Sequence, residues 1–140
     1  MPRGRLNLAG TRVLLAEDNP VTGIVLAKLL ESHGMVVDVV ASGSEAVNRW
    51  KLADYAVVLM DCQLSEMDGY AATRQIREWE SGRRIRTPVI AITALATEGV
   101  RQGCVAAGMD DYLVKPFAPG LLFDCIEAHL GKQRGAVSSQ

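Results

Sequence analysis

Ala56-Val57-Val58-Leu59-Met60-Asp61 is a run of apolar residues that ends on a carboxylate. An unbroken apolar stretch of this length reads as a strand buried on both faces of a parallel sheet. Open α/β sheets bind their ligands just beyond the carboxyl ends of the strands. Asp61 is therefore either a reactive group at that edge or an aspartate that only shapes a turn. The other strand ends decide between the two.

Upstream, Val13-Leu14-Leu15-Ala16 is a first buried strand with Glu17-Asp18 at its end. Asn19 offers a helix N-cap and Pro20 takes the first helical position, where its missing N–H costs nothing. Val21, Ile24, Val25 and Leu29 recur at helical spacing, which predicts the apolar face, and Gly34 supplies a stop. Residues 36–41 form a second strand interrupted by Asp38, and Ser42 with Glu45 makes a capping-box pair for a helix carrying Ala46, Val47 and Trp50. Downstream of Asp61, Asp68 caps a helix whose Ala72, Ile76 and Trp79 share one face. Residues 88–92 are the fourth strand, with Thr93 at its end. The following helix, about 98–107, contains Gly99 and Gly103, each costing about 1 kcal/mol relative to alanine, so it is only marginally stable. Tyr112-Leu113-Val114 is the fifth strand, ended by Lys115-Pro116. Leu121, Leu122, Cys125, Ile126 and Leu130 make the apolar face of a last helix, stopped by Gly131. Residues 1–11 read as a linker-like lead, 12–131 as one domain and 132–140 as a polar tail. Strands alternating with helices are the signature of a parallel α/β sheet.

A chain of 140 residues is long enough for one well-filled core. With 15 basic against 16 acidic residues, no net field recruits nucleic acid or an anionic membrane. No apolar run approaches the ~20 residues of a membrane span, and no signal-peptide pattern is present. Cys62, Cys104 and Cys125 are odd in number and match neither a disulfide framework nor a CxxC zinc site. They read as free thiols of a soluble cytoplasmic domain. His33 and His129 each fall in a last helical turn, where a cation favours the helix dipole, and the two tryptophans read as packing residues.

Five strand ends on one sheet edge bring together Glu17-Asp18, Asp61, Thr93 and Lys115; only the second strand contributes nothing. Three converging carboxylates repel one another unless one is protonated or a cation joins them. An all-oxygen set with room for waters suits Mg2+ or Mn2+, whereas zinc prefers histidine or cysteine. A metal there, with Lys115 opposite, would neutralise an incoming phosphoryl group, and the Thr93 hydroxyl could donate to one of its oxygens. The pattern reads as an aspartyl-phosphate site with Asp61 as nucleophile.

The segments Leu14-Leu15-Ala16-Glu17-Asp18-Asn19-Pro20-Val21, residues 59–69 around Asp61, Ile90-Ala91-Ile92-Thr93-Ala94 and residues 107–116 closing on Lys115-Pro116 together resemble the receiver domain of two-component signalling, most like receivers of hybrid histidine kinases. The likeness runs from about Arg12 to Leu130. It implies a flavodoxin-like (βα)5 fold with strand order 2-1-3-4-5. By position it implies that Asp61 is the phosphoacceptor, and that Asp18, Asp61 and the Gln63 backbone carbonyl bind the metal directly, with Glu17 acting through water. Thr93 and Lys115 match the groups that contact the phosphoryl oxygens, Tyr112 the aromatic switch, and Pro116 a proline after a cis bond. The partner implied is a histidine kinase dimerisation and phosphoacceptor domain or a histidine phosphotransfer protein. The domain would assist its own phosphorylation and dephosphorylation while acting mainly as a signalling module.

Ser65 departs from the family, which commonly has proline there; the change leaves the unfolded chain freer by ~0.4–1 kcal/mol if the loop keeps its shape. Four alternatives stand beside this reading. A haloacid dehalogenase-like hydrolase would need a second aspartate where Gln63 stands. A flavodoxin-like cofactor binder would need a phosphate loop where Glu17-Asp18 would repel one. A stand-alone response regulator, or a receiver-shaped module that is never phosphorylated, would share the same residues.

Overall fold

The computed structural model describes residues 8–83 and 85–138, with side chains through residue 130. Strands β1 (Arg12–Ala16), β2 (Val36–Val40), β3 (Val57–Asp61), β4 (Val89–Thr93) and β5 (Asp111–Val114) form one parallel sheet in the order 2-1-3-4-5. Helices α1 (Pro20–Glu31), α2 (Gly43–Leu52), α3 (Gly69–Glu80), α4 (Glu98–Ala107) and α5 (Pro119–Ser138) follow the strands in turn.

The apolar strands are buried on both faces because alternate residues point into two separate cores. Val13, Leu15, Val57, Leu59, Ile90 and Ile92 pack against Leu26 and Leu30 of α1 and Leu122 and Ile126 of α5. Leu14, Ala16, Val58, Met60, Val89 and Ala91 pack against α2, α3 and α4 through Ala46, Val47, Ala72, Ile76 and Cys104. A fully buried Leu30 or Ile76 contributes about 1.5–3 kcal/mol through its side chain. Leu8 belongs to the first of these cores, and Gly10 donates its N–H to the Gly34 carbonyl at 2.7 Å, so residues 8–11 pack onto the domain.

The helix starts follow their caps. Asn19 Oδ1 accepts from the N–H groups of Val21 and Thr22 at 3.0 and 3.1 Å, and Asp68 Oδ1 accepts from Ala71 N–H at 2.9 Å. Ser42 Oγ accepts from Glu45 N–H, while the Glu45 carboxylate reaches one residue further back than a capping box requires, to Ala41 N–H at 2.9 Å. Thr97 caps α4 in the same way, accepting from Val100 N–H at 3.2 Å. On α3, Arg77 bonds the Gly108 and Thr87 carbonyls and the carboxylates of Glu80 and Asp110, tying that helix to the turns before β4 and β5.

Four expectations are corrected. The buried face of α1 is Gly23, Leu26 and Leu30, while Val21, Ile24 and Val25 are 70%, 57% and 58% exposed. The helix is apolar nearly all round, and the face carrying Leu26 and Leu30 is the one that fills the first core against Val13, Leu15 and Leu122. Trp79 is 43% exposed, not part of the α3 core face, with the Lys51 ammonium 4.2 Å and the Arg83 guanidinium 5.8 Å from its ring centroid. Helix α5 runs through Gly131 to Ser138. Glycine ends a helix where the chain turns left-handed, as Gly34 and Gly108 do at φ +83° and +96°, and residue 131 stays helical. Neither histidine serves a last turn: His33 lies beyond α1 and stacks on Phe123 at 3.9 Å, and His129 sits inside α5 against Asp111.

Candidate functional site

Register places the acidic groups side by side. Ala16 pairs with Met60, so the next residues, Glu17 and Asp61, stand side by side at the carboxyl edge of the sheet. Asp61 pairs with Ile92 and Thr93 with Val114, which brings Thr93 and Lys115 to the same edge. Glu17 and Asp61 are buried, whereas Asp18 is exposed at the rim.

Lys115 is the centre of this arrangement. Its Nζ donates to Glu17 Oε1 at 2.9 Å and to Asp61 Oδ2 at 3.1 Å. The second oxygen of each carboxylate is held by backbone: Asn19 N–H donates to Glu17 Oε2 at 3.1 Å and Gln63 N–H to Asp61 Oδ1 at 2.9 Å. Burial pushes the Glu17 carboxyl above its ordinary value and the nearby Asp61 charge adds to that, with Lys115 and Asn19 opposing. Burial alone would lower the Lys115 ammonium, but its bonds to Glu17 and Asp61 outweigh this and raise it. The lysine is therefore a fixed cation wherever the carboxylates are ionised.

One ligand atom from each of Glu17, Asp18 and Asp61 lies within 4.8 Å of the others. This donor set is all oxygen and partly open to solvent, which fits Mg2+ or Mn2+ and not a soft metal. Thr93 is fully buried, and its hydroxyl accepts from Leu95 N–H at 3.0 Å and donates to the Leu95 carbonyl at 3.3 Å. Tyr112 is half-buried against the core under α4. The Lys115–Pro116 peptide is cis.

The loop after Asp61 is shaped by residues that sequence reasoning passed over. Gly69 begins α3 so close to the strand that a Cβ would fall onto the Asp61 carbonyl, and a Cβ on Gly43 would fall onto the Met67 carbonyl. Ser44 donates its N–H and its hydroxyl to the Glu66 carbonyl, and Ser42 bridges Ser65. Glu66 and Met67 accept φ of +49° and +83°, a region that non-glycine residues rarely occupy. The available signal was a glycine at the first position of two capped helices, where alanine would serve the helix better. Cys62 Sγ lies 3.8 Å from Cys104 Sγ, and burial pushes the Cys62 thiol up to about 12, so it stays protonated beside Asp61.

Residues 13–127 match the family model described as the response regulator receiver domain. Among curated proteins, the chain is 39% identical over 129 residues to hybrid signal transduction histidine kinase B of Dictyostelium discoideum, covering 85% of this chain and 7% of that protein. It is 37% identical over 118 residues to the sensor histidine kinase GacS of Pseudomonas protegens, covering 84% of the chain and 13% of that protein. The chain thus spans only a small part of these relatives. Among solved structures, the receiver domain of a Pseudomonas aeruginosa sensor histidine kinase, with magnesium coordinated in its active-site cleft, is 46% identical with a TM-score of 0.80. That match covers 88% of this chain and 99% of the other. A Saccharomyces cerevisiae response-regulator receiver, solved with the histidine phosphotransfer protein upstream of it, is 28% identical with a TM-score of 0.82, over 90% and 92% of the two chains.

Proposed function

Because the chain belongs to the response regulator receiver domain family of two-component systems, we propose that it accepts a phosphoryl group from a phosphohistidine onto Asp61. The observation that carries this reading is Lys115 bridging Glu17 and Asp61 beside an all-oxygen donor set. An Asp61 oxygen attacks the phosphorus; the P–N bond to the donor histidine breaks as the P–O bond forms, and the imidazole leaves. Lys115 stays paired with the acyl phosphate, so the charge arriving on the phosphoryl oxygens meets a cation already in place.

Glu17, Asp18, Asp61 and the Gln63 carbonyl would hold Mg2+ or Mn2+. Bound there, the ion neutralises the phosphoryl oxygens and so assists both phosphorylation and hydrolysis. Thr93 then exchanges its bond to Leu95 for one to a phosphoryl oxygen, and Tyr112 turns inward as Thr93 moves, changing the face around α4.

The donor is a histidine phosphotransfer protein or the phosphoacceptor domain of a histidine kinase. It would seat on Val21, Ile24 and Val25, which are exposed on α1 directly beyond Asp18 and Asn19. The yeast neighbour's pairing with a histidine phosphotransfer protein supports that partner class. The parent is a hybrid histidine kinase, with this domain on the cytoplasmic side. No helix among the described residues is long and apolar enough to cross a membrane. Incubation with a phosphorylated histidine phosphotransfer protein should move its label to this chain as a base-labile acyl phosphate. Label that stays on the donor, with folded receiver present, would contradict the reading.

A further inference from the structure

The opposite end of β5 carries a second group of metal-ligating side chains that phosphoryl transfer does not use. Asp111 opens the strand, and Cys125 and His129 are one turn apart on the face of α5 that covers it. Asp111 Oδ2 lies 3.3 Å from Cys125 Sγ and 3.1 Å from His129 Nε2. Tyr112 N–H donates to Asp111 Oδ1 at 2.9 Å and fixes the carboxylate with its other oxygen toward the helix.

We infer that Asp111, Cys125 and His129 form a zinc site with a fourth, solvent-facing position. The three ligand atoms all lie within 4.8 Å of one another. Tetrahedral zinc with ordinary bond lengths sets its S, N and O donors about 3.3–3.6 Å apart. The two separations to Asp111 already stand near those values, so the side chains close on the metal by small rotations. A mixed sulfur, nitrogen and oxygen set suits zinc and is a poor match for magnesium, which takes oxygen donors. Cys125 and His129 are only 8% and 9% exposed, whereas Asp111 is exposed, leaving the fourth position to water.

Without metal the trio is a hydrogen-bonded cluster, and burial with the Asp111 charge holds the Cys125 thiol up to about 12. Zinc displaces that proton to solvent as the Zn–S bond forms, with no change of oxidation state. Bound, it would pin α5 to the foot of β5, the strand that carries Tyr112 and leads into Lys115.

The test uses the untagged chain with one equivalent of Zn2+ or Co2+ and a large excess of Mg2+ to occupy the acidic cleft. The expected result is one zinc per chain surviving desalting. Co2+ should give the intense visible bands of a tetrahedral site with thiolate charge transfer. Cys125→Ser and His129→Ala should each weaken binding at least tenfold, while Asp61→Asn and Cys104→Ser leave it unchanged. No retained zinc, a weak octahedral cobalt spectrum, or binding lost in Asp61→Asn or Cys104→Ser and kept in Cys125→Ser would each overturn the assignment. The wild-type cobalt spectrum decides the matter even if a variant fails to fold.

Discussion

Asp38 interrupts an otherwise apolar edge strand, and its neighbours account for it. The Tyr55 hydroxyl donates to its Oδ2 at 2.7 Å, Arg12 approaches the same oxygen at 3.3 Å and Arg49 at 3.8 Å. The Tyr55 bond is the main cause that holds the Asp38 carboxyl below its usual 3.8, with burial opposing and the arginines assisting. A depressed carboxyl stabilises the fold fully above that usual value and loses the contribution as pH falls through the folded-state value. Tyr55→Phe should therefore lower stability by about 1 kcal/mol at neutral pH and flatten the fall in stability below about pH 4. Urea unfolding from acid to neutral pH reads both; identical acid slopes in wild type and variant would refute the assignment. At this scale the sequence marks positions better than bonds. Glu17, Asp61 and Lys115 were readable because an apolar strand fixes where the residue after it emerges. That Lys115 bridges the two carboxylates, and that the Thr93 hydroxyl turns to Leu95, depends on rotamers that no periodicity encodes. Asp111, Cys125 and His129 come together only through the packing of α5 on β5, and their one local trace is the cysteine–histidine spacing of four.

Glycines separate helix propensity from tertiary fit. Gly69→Ala replaces a poor helix former with the best one, yet its Cβ would collide with the Asp61 carbonyl. The substitution should destabilise the domain by about 2 kcal/mol or more, as forced overpacking does. Gly99→Ala meets only the Thr97 hydroxyl oxygen, at 3.9 Å, and should stabilise α4 by about 0.5 kcal/mol. Thermal unfolding of the two variants should shift in opposite directions; a shift of the same sign in both would contradict the packing account. The marginal α4 expected from its two glycines is partly explained by fit, because Gly103 lets the Tyr70 ring approach to 3.3 Å of where a Cβ would stand. The existence of α1, α2, α3 and α5 was legible from caps or apolar spacing, whereas the Thr97 cap of α4 was not singled out. The inward face of α1 was not legible, because Val21, Ile24 and Val25 compete with Leu26 and Leu30 on hydrophobicity alone. Packing of Leu26 and Leu30 into the first core decided it, and those partners on β3 and α5 are distant in sequence.

For the whole molecule, the two-core sandwich follows from the central strands β1, β3 and β4, apolar at nearly every position, and the parallel α/β class could be read from such strands alternating with helices. The order 2-1-3-4-5 rested on the family likeness, since β2 and β5 lie at the edges for reasons of pairing that their own residues do not state. The same organisation leaves an apolar α1 surface beside the acidic cleft, although both cores are already filled without it. Ile24→Asp should leave thermal stability within about 0.5 kcal/mol of wild type, as exposed substitutions do. It should slow phosphoryl transfer from a histidine phosphotransfer protein at least tenfold while leaving reaction with acetyl phosphate unchanged. Equal slowing with both donors would place the defect in the cleft and refute the docking role. The most direct test of the central claim is the intact mass of the chain after incubation with acetyl phosphate, with and without Mg2+, beside Asp61→Asn. One phosphoryl adduct that requires Mg2+ and is absent from the variant is expected. An adduct that persists in Asp61→Asn, or forms equally well without a divalent cation, would contradict it.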